Sequence, residues 1–278
     1  MQVGAHVSVA GGLINGLIRA EELDIKTIQI FGSSPRQWQI RQPSSEDLSA
    51  YKSQQEKRLV QPVFLHAPYL INLATENDDL RNKSIESLSG HLGIAEAIQA
   101  FGLVFHIGSS DGLKEKALER VARGVLSVLE RISGRTYLII ENSAMGGHKL
   151  GISPAEIGYL MQMIDHPRIG FCLDTAHAFE SGLFHFSSDR IERYISDWSD
   201  KIDWEYLKLL HANDSATEFN SGRDWHANIG EGFIGIDGFR SLAKYDVFNS
   251  KPWILEISGR DNNGPDRENV ERLKSCFQ

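Results

Sequence analysis

Six His and carboxylate residues each close a short apolar run: His66 in VFLHA, His106 in LVFHIGS, Glu141 in YLIIEN, Asp174 in GFCLD, His211 in LKLLHAND and Glu256 in PWILE. They recur at intervals of about 33 to 45 residues, roughly one strand–helix unit each. A single strand-end acid is commonly a helix N-cap, and a single His is commonly a satisfied core residue. Six in phase differ, because a buried set of carboxylates and imidazoles needs compensating cations. Two further pairs strengthen the pattern. His177 follows Asp174 by three residues, and Asp224-Trp225-His226 offers a carboxylate and an imidazole that project to the same side of an extended loop. Mixed imidazole and carboxylate ligation without thiolate suits zinc in an open catalytic site, with manganese a competitor. Such ions generate a nucleophile from water at neutral pH and stabilise developing oxygen charge. His91, His148, His166 and His185 read instead as surface or structural residues.

The elements that must position these side chains alternate in type. Strand-like runs are Gln2–Val7, Thr27–Phe31, Val60–Leu65, Leu103–His106, Tyr137–Glu141, Ile169–Leu173, Leu207–His211 and Pro252–Ile257. Most are continuously apolar, as strands buried on both faces should be. Between them, Ile85, Leu88, Leu92, Ala95 and Ile98 recur at helical spacing, as do Ala117, Val121, Val125, Val128 and Ile132. Ser153-Pro154-Ala155-Glu156 marks a helix start, with a capping residue, Pro at the first helical position and an acid in the first turn. Eight such units predict an α/β fold, a (β/α)8 TIM barrel of the xylose isomerase-like type, as one domain over residues 1–278. A doubly wound open sheet is the alternative, and would gather its ligands near one switch point.

Composition bounds the function. With 41% hydrophobic and 24% charged residues the chain is an ordinary globular protein, and two cysteines make no disulfide framework. No apolar run is long enough to span a bilayer and no basic-then-apolar leader opens the chain, so a soluble, cytoplasmic protein without a membrane partner is expected. The net charge of −8 argues against a nucleic-acid partner. That objection weakens if acids hold metal, because three dications would bring the chain close to neutrality where a phosphate must bind.

The chain resembles the endonuclease IV family of apurinic/apyrimidinic endonucleases, from GAHVSVAGG and PRQW through HAPYLINL, VFHIGS and IIENSA to CLDTAHAF, LHANDS, RDWHANIGEG and ILEI. The resemblance implies a TIM barrel with three zinc ions and a cut 5′ of an abasic site in duplex DNA, leaving a 3′-hydroxyl and a 5′-deoxyribose phosphate. It places the first zinc on His66, His106 and Glu141, the second on Glu141, Asp174, His211 and Glu256, and the third on His177, Asp224 and His226. Glu141 and Glu256 would be catalytic, and a 3′-repair diesterase activity would accompany incision. Arg36 and the pair Tyr69–Leu70 match residues with which the family penetrates damaged DNA, which fits a substrate whose missing base makes extrusion cheap. A monomer is the default, since no extended apolar helix face demands a partner.

Some positions depart from the family pattern. Trp225 stands where Asp-Arg-His is common, Ala216 where a Lys is frequent, and Ile107 where Pro usually follows the His. The first two remove positive charge near the phosphate path, so weaker and less salt-sensitive DNA binding is expected. A sugar isomerase or epimerase of the xylose isomerase-like barrels is the competing reading. It would use Glu141, Asp174, His211 and Glu256 with one or two divalent ions, but leaves His66, His106, His177, Asp224 and His226 without work. A catalytically idle damage binder is a third reading, which nothing in the sequence favours.

Overall fold

Eight short strands, each flanked by helix, close on themselves. The computed structural model describes residues 2–187 and 189–278. The barrel strands are β1 (Gln2–His6), β2 (Thr27–Phe31), β3 (Val63–His66), β4 (Gly102–Phe105), β5 (Tyr137–Glu141), β6 (Ile169–Asp174), β7 (Leu207–His211) and β10 (Pro252–Leu255). Each pairs in parallel with its neighbours, and β10 closes the ring by pairing with both β7 and β1. Closure excludes the open doubly wound sheet. Two short strands, β8 (Asp214–Ser215) and β9 (His226–Ala227), follow β7 in sequence and form a separate antiparallel ribbon. Sequence periodicity does not register segments of two residues.

The strand limits follow local chemistry. β3 begins at Val63 rather than Val60, because the helix Ser45–Arg58 ends in Leu59 with φ of 56° and the Val60 N–H still donates to the Gln55 carbonyl. The apolar stripe from Ile85 to Ala95 lies on the inner side of the helix Asp78–Ala97, and that from Ala117 to Val128 on Lys114–Arg131. Ser153 caps the helix Pro154–Ile164 by accepting from the Glu156 N–H, with Pro154 in its first turn.

Inside the barrel lies a layer of six fully buried apolar side chains: Phe64, Val104, Ile139, Cys172, Leu209 and Ile254. Each stands two residues before one of the six strand-end residues singled out above. Because alternate residues of a strand face the same side, the six polar side chains must point into the barrel mouth directly over this floor. β1 fits the same rule with a smaller floor residue. A Cβ on Gly4 would lie 2.4 Å from the Thr27 carbonyl oxygen and 2.7 Å from Ile254 Cδ1, so only glycine leaves room for β2 and β10 there. Among the described residues, no helix is long and apolar enough to cross a membrane.

Candidate metal centre and active site

The strand ends converge on a cavity of about 1090 Å³ lined by His66, His106, Glu141, His177, Asp224, His226 and Glu256 among others. Three groups of donor atoms form there, each with its atoms within 4.8 Å of one another: His66, His106 and Glu141; Glu141, Asp174, His211 and Glu256; and Asp174, His177 and His226. Asp224 completes the third, with Oδ1 lying 3.1 Å from His177 Nε2 and 3.6 Å from His226 Nε2. All nine candidate ligands are therefore in one place. The four that an isomerase would use are accompanied by the five that it would not.

Glu141 joins two groups. Its Oε2 faces His66 Nε2 at 3.1 Å and His106 Nε2 at 3.6 Å, while its Oε1 faces His211 Nδ1 at 3.0 Å. Asp174 has two functions as well. Its Oδ1 accepts from the His177 N–H at 2.8 Å and caps the helix Thr175–Glu180, and its Oδ2 approaches His226 Nε2 at 3.9 Å. Capping and ligation, alternatives in the sequence, coexist because a carboxylate has two oxygens.

The histidines are oriented from behind. His66 Nδ1 donates to the Ala67 carbonyl at 2.7 Å, His177 Nδ1 to that of Asn142 at 2.9 Å, and His226 Nδ1 to that of Glu256 at 2.9 Å. His211 Nε2 donates to Gln29 Oε1 at 2.9 Å. Each ring thus turns its other nitrogen toward the cluster, where the neutral ring carries its lone pair, which is how metal-bound imidazoles are usually fixed. His211 Nδ1, His226 Nε2 and Glu141 Oε1 are buried with no hydrogen-bond partner. Donors sharing one tetrahedral ion at about 2.0–2.1 Å lie roughly 3.3 Å apart. The imidazole–carboxylate separations in the first and third groups, 3.1 to 3.6 Å, fit that geometry.

Charge leads to the same conclusion. Burial resists ionisation of Glu141 and Glu256, yet His106 and His211 beside the first, and His211 and His6 beside the second, hold both carboxyls well below the usual range. Burial likewise disfavours the cationic form of His177 and His211, but Asp174 and Asp224 push the first well up, and Cys172 with Glu256 and Glu141 the second. Burial dominates at His106, taking its pKa down to about 4, so this ring is a neutral donor at neutral pH. Glu141, Asp174 and Glu256 packed together at the barrel mouth, with Asp224 at their open edge, require cations, whether protons on imidazoles or divalent ions.

Amide side chains hold the carboxylates. Asn213 donates from Nδ2 to Asp174 Oδ2 at 2.7 Å and accepts the Glu256 N–H at 2.7 Å. Asp214, next in the same motif, is not among the donors. It accepts backbone N–H groups of Gly230, Gly232, Ile234 and Gly235, tying down the NIGEG loop. A Cβ on Gly232 would come 2.2 Å from the Ser215 carbonyl oxygen, so the loop can sit this close only as glycine.

Comparison with known proteins defines the relationship. The family profile described as xylose isomerase-like TIM barrel matches residues 17–276. The probable endonuclease 4 of Halothermothrix orenii is 35% identical over 95% of this chain and 96% of its own length. The chain belongs to the endonuclease IV family. As a member it is an endonuclease-type hydrolase. The probable endonuclease 4 of Chloroflexus aggregans is 34% identical, covering 99% of this chain and 97% of its own. The crystal structure of endonuclease IV from Thermus thermophilus superposes with a TM-score of 0.87 at 28% identity, over 100% of this chain and 99% of that one. A D-tagatose 3-epimerase-like protein, at 18% identity and a TM-score of 0.75 over 100% of this chain and 97% of its own, shares the fold alone.

Besides Asn213, two residues at this site escape the sequence reading. His6 closes β1, with Nδ1 donating to Glu256 Oε1 at 3.0 Å, and Gln29 of β2 donates to the same oxygen. His6 carries the strand-end signal of the other six and could have been found by it. Gln29 lies mid-strand between Ile28 and Ile30, where only its polarity in an apolar run is a clue. At the rim, Tyr69 is exposed and lines the cavity with Leu70, its ring edge-on to Phe31 at 5.6 Å. The Tyr69 N–H donates to the Pro35 carbonyl, which sets the loop bearing exposed Arg36 beside it. His91 is structural, buried between Ser33 Oγ and the Ser87 carbonyl.

Proposed function

We propose that the chain hydrolyses the phosphodiester 5′ of an abasic site in duplex DNA, with three zinc ions held by His66, His106 and Glu141, by Glu141, Asp174, His211 and Glu256, and by His177, Asp224 and His226. Manganese could replace zinc at one position. The observation that carries the reading is the convergence of three donor groups that share Glu141 and Asp174, with imidazole lone pairs turned inward by hydrogen bonds from behind. Ions so placed would supply a hydroxide nucleophile at neutral pH and stabilise the phosphoryl and leaving oxygens.

The protein's own groups do the rest. Glu141 is the bridging carboxylate, each oxygen facing a different group. Glu256 keeps Oε1 fixed by His6 and Gln29 while Oε2 lies 3.0 Å from His211 Nδ1. Tyr69, Leu70 and Arg36 stand at the rim, where an inserted side chain would fill the gap of a missing base. Removal of 3′-blocking groups would use the same phosphodiester chemistry. The reading is completed by a monomeric, single-domain, cytoplasmic enzyme.

The deciding experiment incubates zinc-loaded protein with a labelled duplex containing one reduced abasic site, which cannot undergo β-elimination. A cut 5′ of the site with a 3′-hydroxyl is expected, together with about three zinc ions per chain. Absence of cleavage by folded, fully loaded protein would overturn the reading and favour the isomerase chemistry.

A further inference from the structure

The most exposed tryptophan of the described chain lies between two candidate metal ligands. Trp225 is 60% exposed, whereas Trp198 and Trp253 are buried, and its indole lines the cavity beside Asp224 and His226. Its backbone is fixed on both sides. The Trp225 N–H donates to Oε1 of Glu180 at 3.3 Å, and its carbonyl accepts the Ala216 N–H at 2.8 Å within the β8–β9 ribbon. The Arg223 guanidinium lies over the ring at 5.4 Å, a cation–π contact that favours one ring orientation. The indole therefore projects from a fixed backbone into the open cavity beside the proposed ligands and not into the core.

We infer that Trp225 is a specificity residue that stacks on a nucleobase beside the lesion. The inference rests on the proposed action at abasic sites. In intact duplex every base is covered above and below by its neighbours, so an indole finds no free π-face. A missing base uncovers the faces of the bases beside it, and stacking is then available without the cost of breaking a pair. Stacking is indifferent to base identity, because every base has a π-face. Trp225 therefore selects by the broken stack, where a basic residue at the same position would bind the phosphate of damaged and intact DNA alike. Fixing the backbone through Glu180 and Ala216 reduces the ordering cost on binding.

The test uses zinc-loaded wild type, Trp225→Phe and Trp225→Leu in single-turnover cleavage of a reduced abasic duplex, with intact duplex as competitor. For Trp225→Leu the half-saturating concentration of abasic duplex rises about 10-fold. The maximal rate, the zinc content and inhibition by intact duplex remain as in wild type. Trp225→Phe keeps a ring and stays within about 3-fold of wild type. Abasic duplex quenches the tryptophan emission of wild type in this reading, and the quenching shrinks in both variants. Unchanged half-saturation in Trp225→Leu, or an equal loss of affinity for abasic and intact duplex, overturns the stacking role while leaving the abasic endonuclease reading in place. Wild type that fails to cut the abasic duplex overturns both.

Discussion

Glu141 Oε1 and His211 Nδ1 lie 3.0 Å apart, both buried, with no hydrogen bond between them. A buried carboxylate oxygen and a buried imidazole nitrogen that close must share a cation, either a proton on the ring or a divalent ion between them. Glu141→Ala should therefore lower zinc content by at least one ion per chain, and by up to two, since the carboxylate belongs to two groups. Chelation of the wild type should lower stability by about 4 kcal/mol for each ion removed where free zinc had stood near 1,000 times its dissociation constant. Elemental analysis and urea unfolding measure the two effects. Full zinc occupancy in Glu141→Ala would remove the bridging assignment.

Gln29 touches no substrate in this reading, yet it accepts from His211 Nε2 and donates to Glu256. Removing a partner of this kind typically costs 10 to 100-fold in metal affinity. Gln29→Ala should lose one zinc to a chelator at roughly that lower concentration, while the fold, followed by circular dichroism, persists.

Packing of the barrel floor should matter as much as the ligands above it. Ile254→Ala removes a fully buried side chain beneath Glu256 and should cost about 2–5 kcal/mol. Gly4→Ala forces a methyl against the Thr27 carbonyl and should cost about 1–3 kcal/mol. Both are read from denaturant midpoints, and a neutral Gly4→Ala would show that β1 and β2 can separate freely.

Glu180 is fully buried, and burial raises its pKa to about 7 against the hydrogen bonds from Ser215 and Trp225. The folded state then holds this proton more tightly than the unfolded chain. Below about pH 4.5 the effect vanishes, and stability falls as pH rises toward 7 by about 3 kcal/mol. Glu180→Gln should remove this part of the pH dependence, whatever constant cost the amide brings. Urea titrations of wild type and variant at pH 5 and pH 8 measure the difference. Equal slopes in the two proteins would count against a raised pKa.

Ala216 and Trp225 occupy places where basic residues would reach phosphate. Trp225→Arg combined with Ala216→Lys should steepen the slope of log affinity for intact duplex against log salt by about two, one for each added contact. Binding measured at several salt concentrations decides this. An unchanged slope would mean that neither side chain lies on the phosphate path.

Much of this was legible because the fold and the site use one signal. An apolar run ending in His, Asp or Glu announces both a buried strand and a side chain at its carboxyl end, and closure of the barrel then brings Glu141 to His211 without any cue in their separation along the chain. The contacts that orient the ligands carry no such signal. Asn213 and Gln29 are ordinary polar residues until the register of β7 and β2 sets them against Asp174 and Glu256. The double use of Asp174 as cap and donor is hidden for a related reason, since a sequence names a carboxylate but not where its two oxygens point.

The spacing of two residues between each floor side chain and the polar residue above it has a consequence for how this chain can change in length. One residue inserted near the middle of Leu207–His211 would turn His211 or Leu209 to the outer face, losing a ligand or opening the floor. Two inserted residues would restore the facing but displace the imidazole along the barrel axis by about 6.6 Å, beyond the reach of Glu141. Variation in length is therefore confined to the connections between strands, and the count of residues inside each strand is as much a property of the active site as the identity of its ligands.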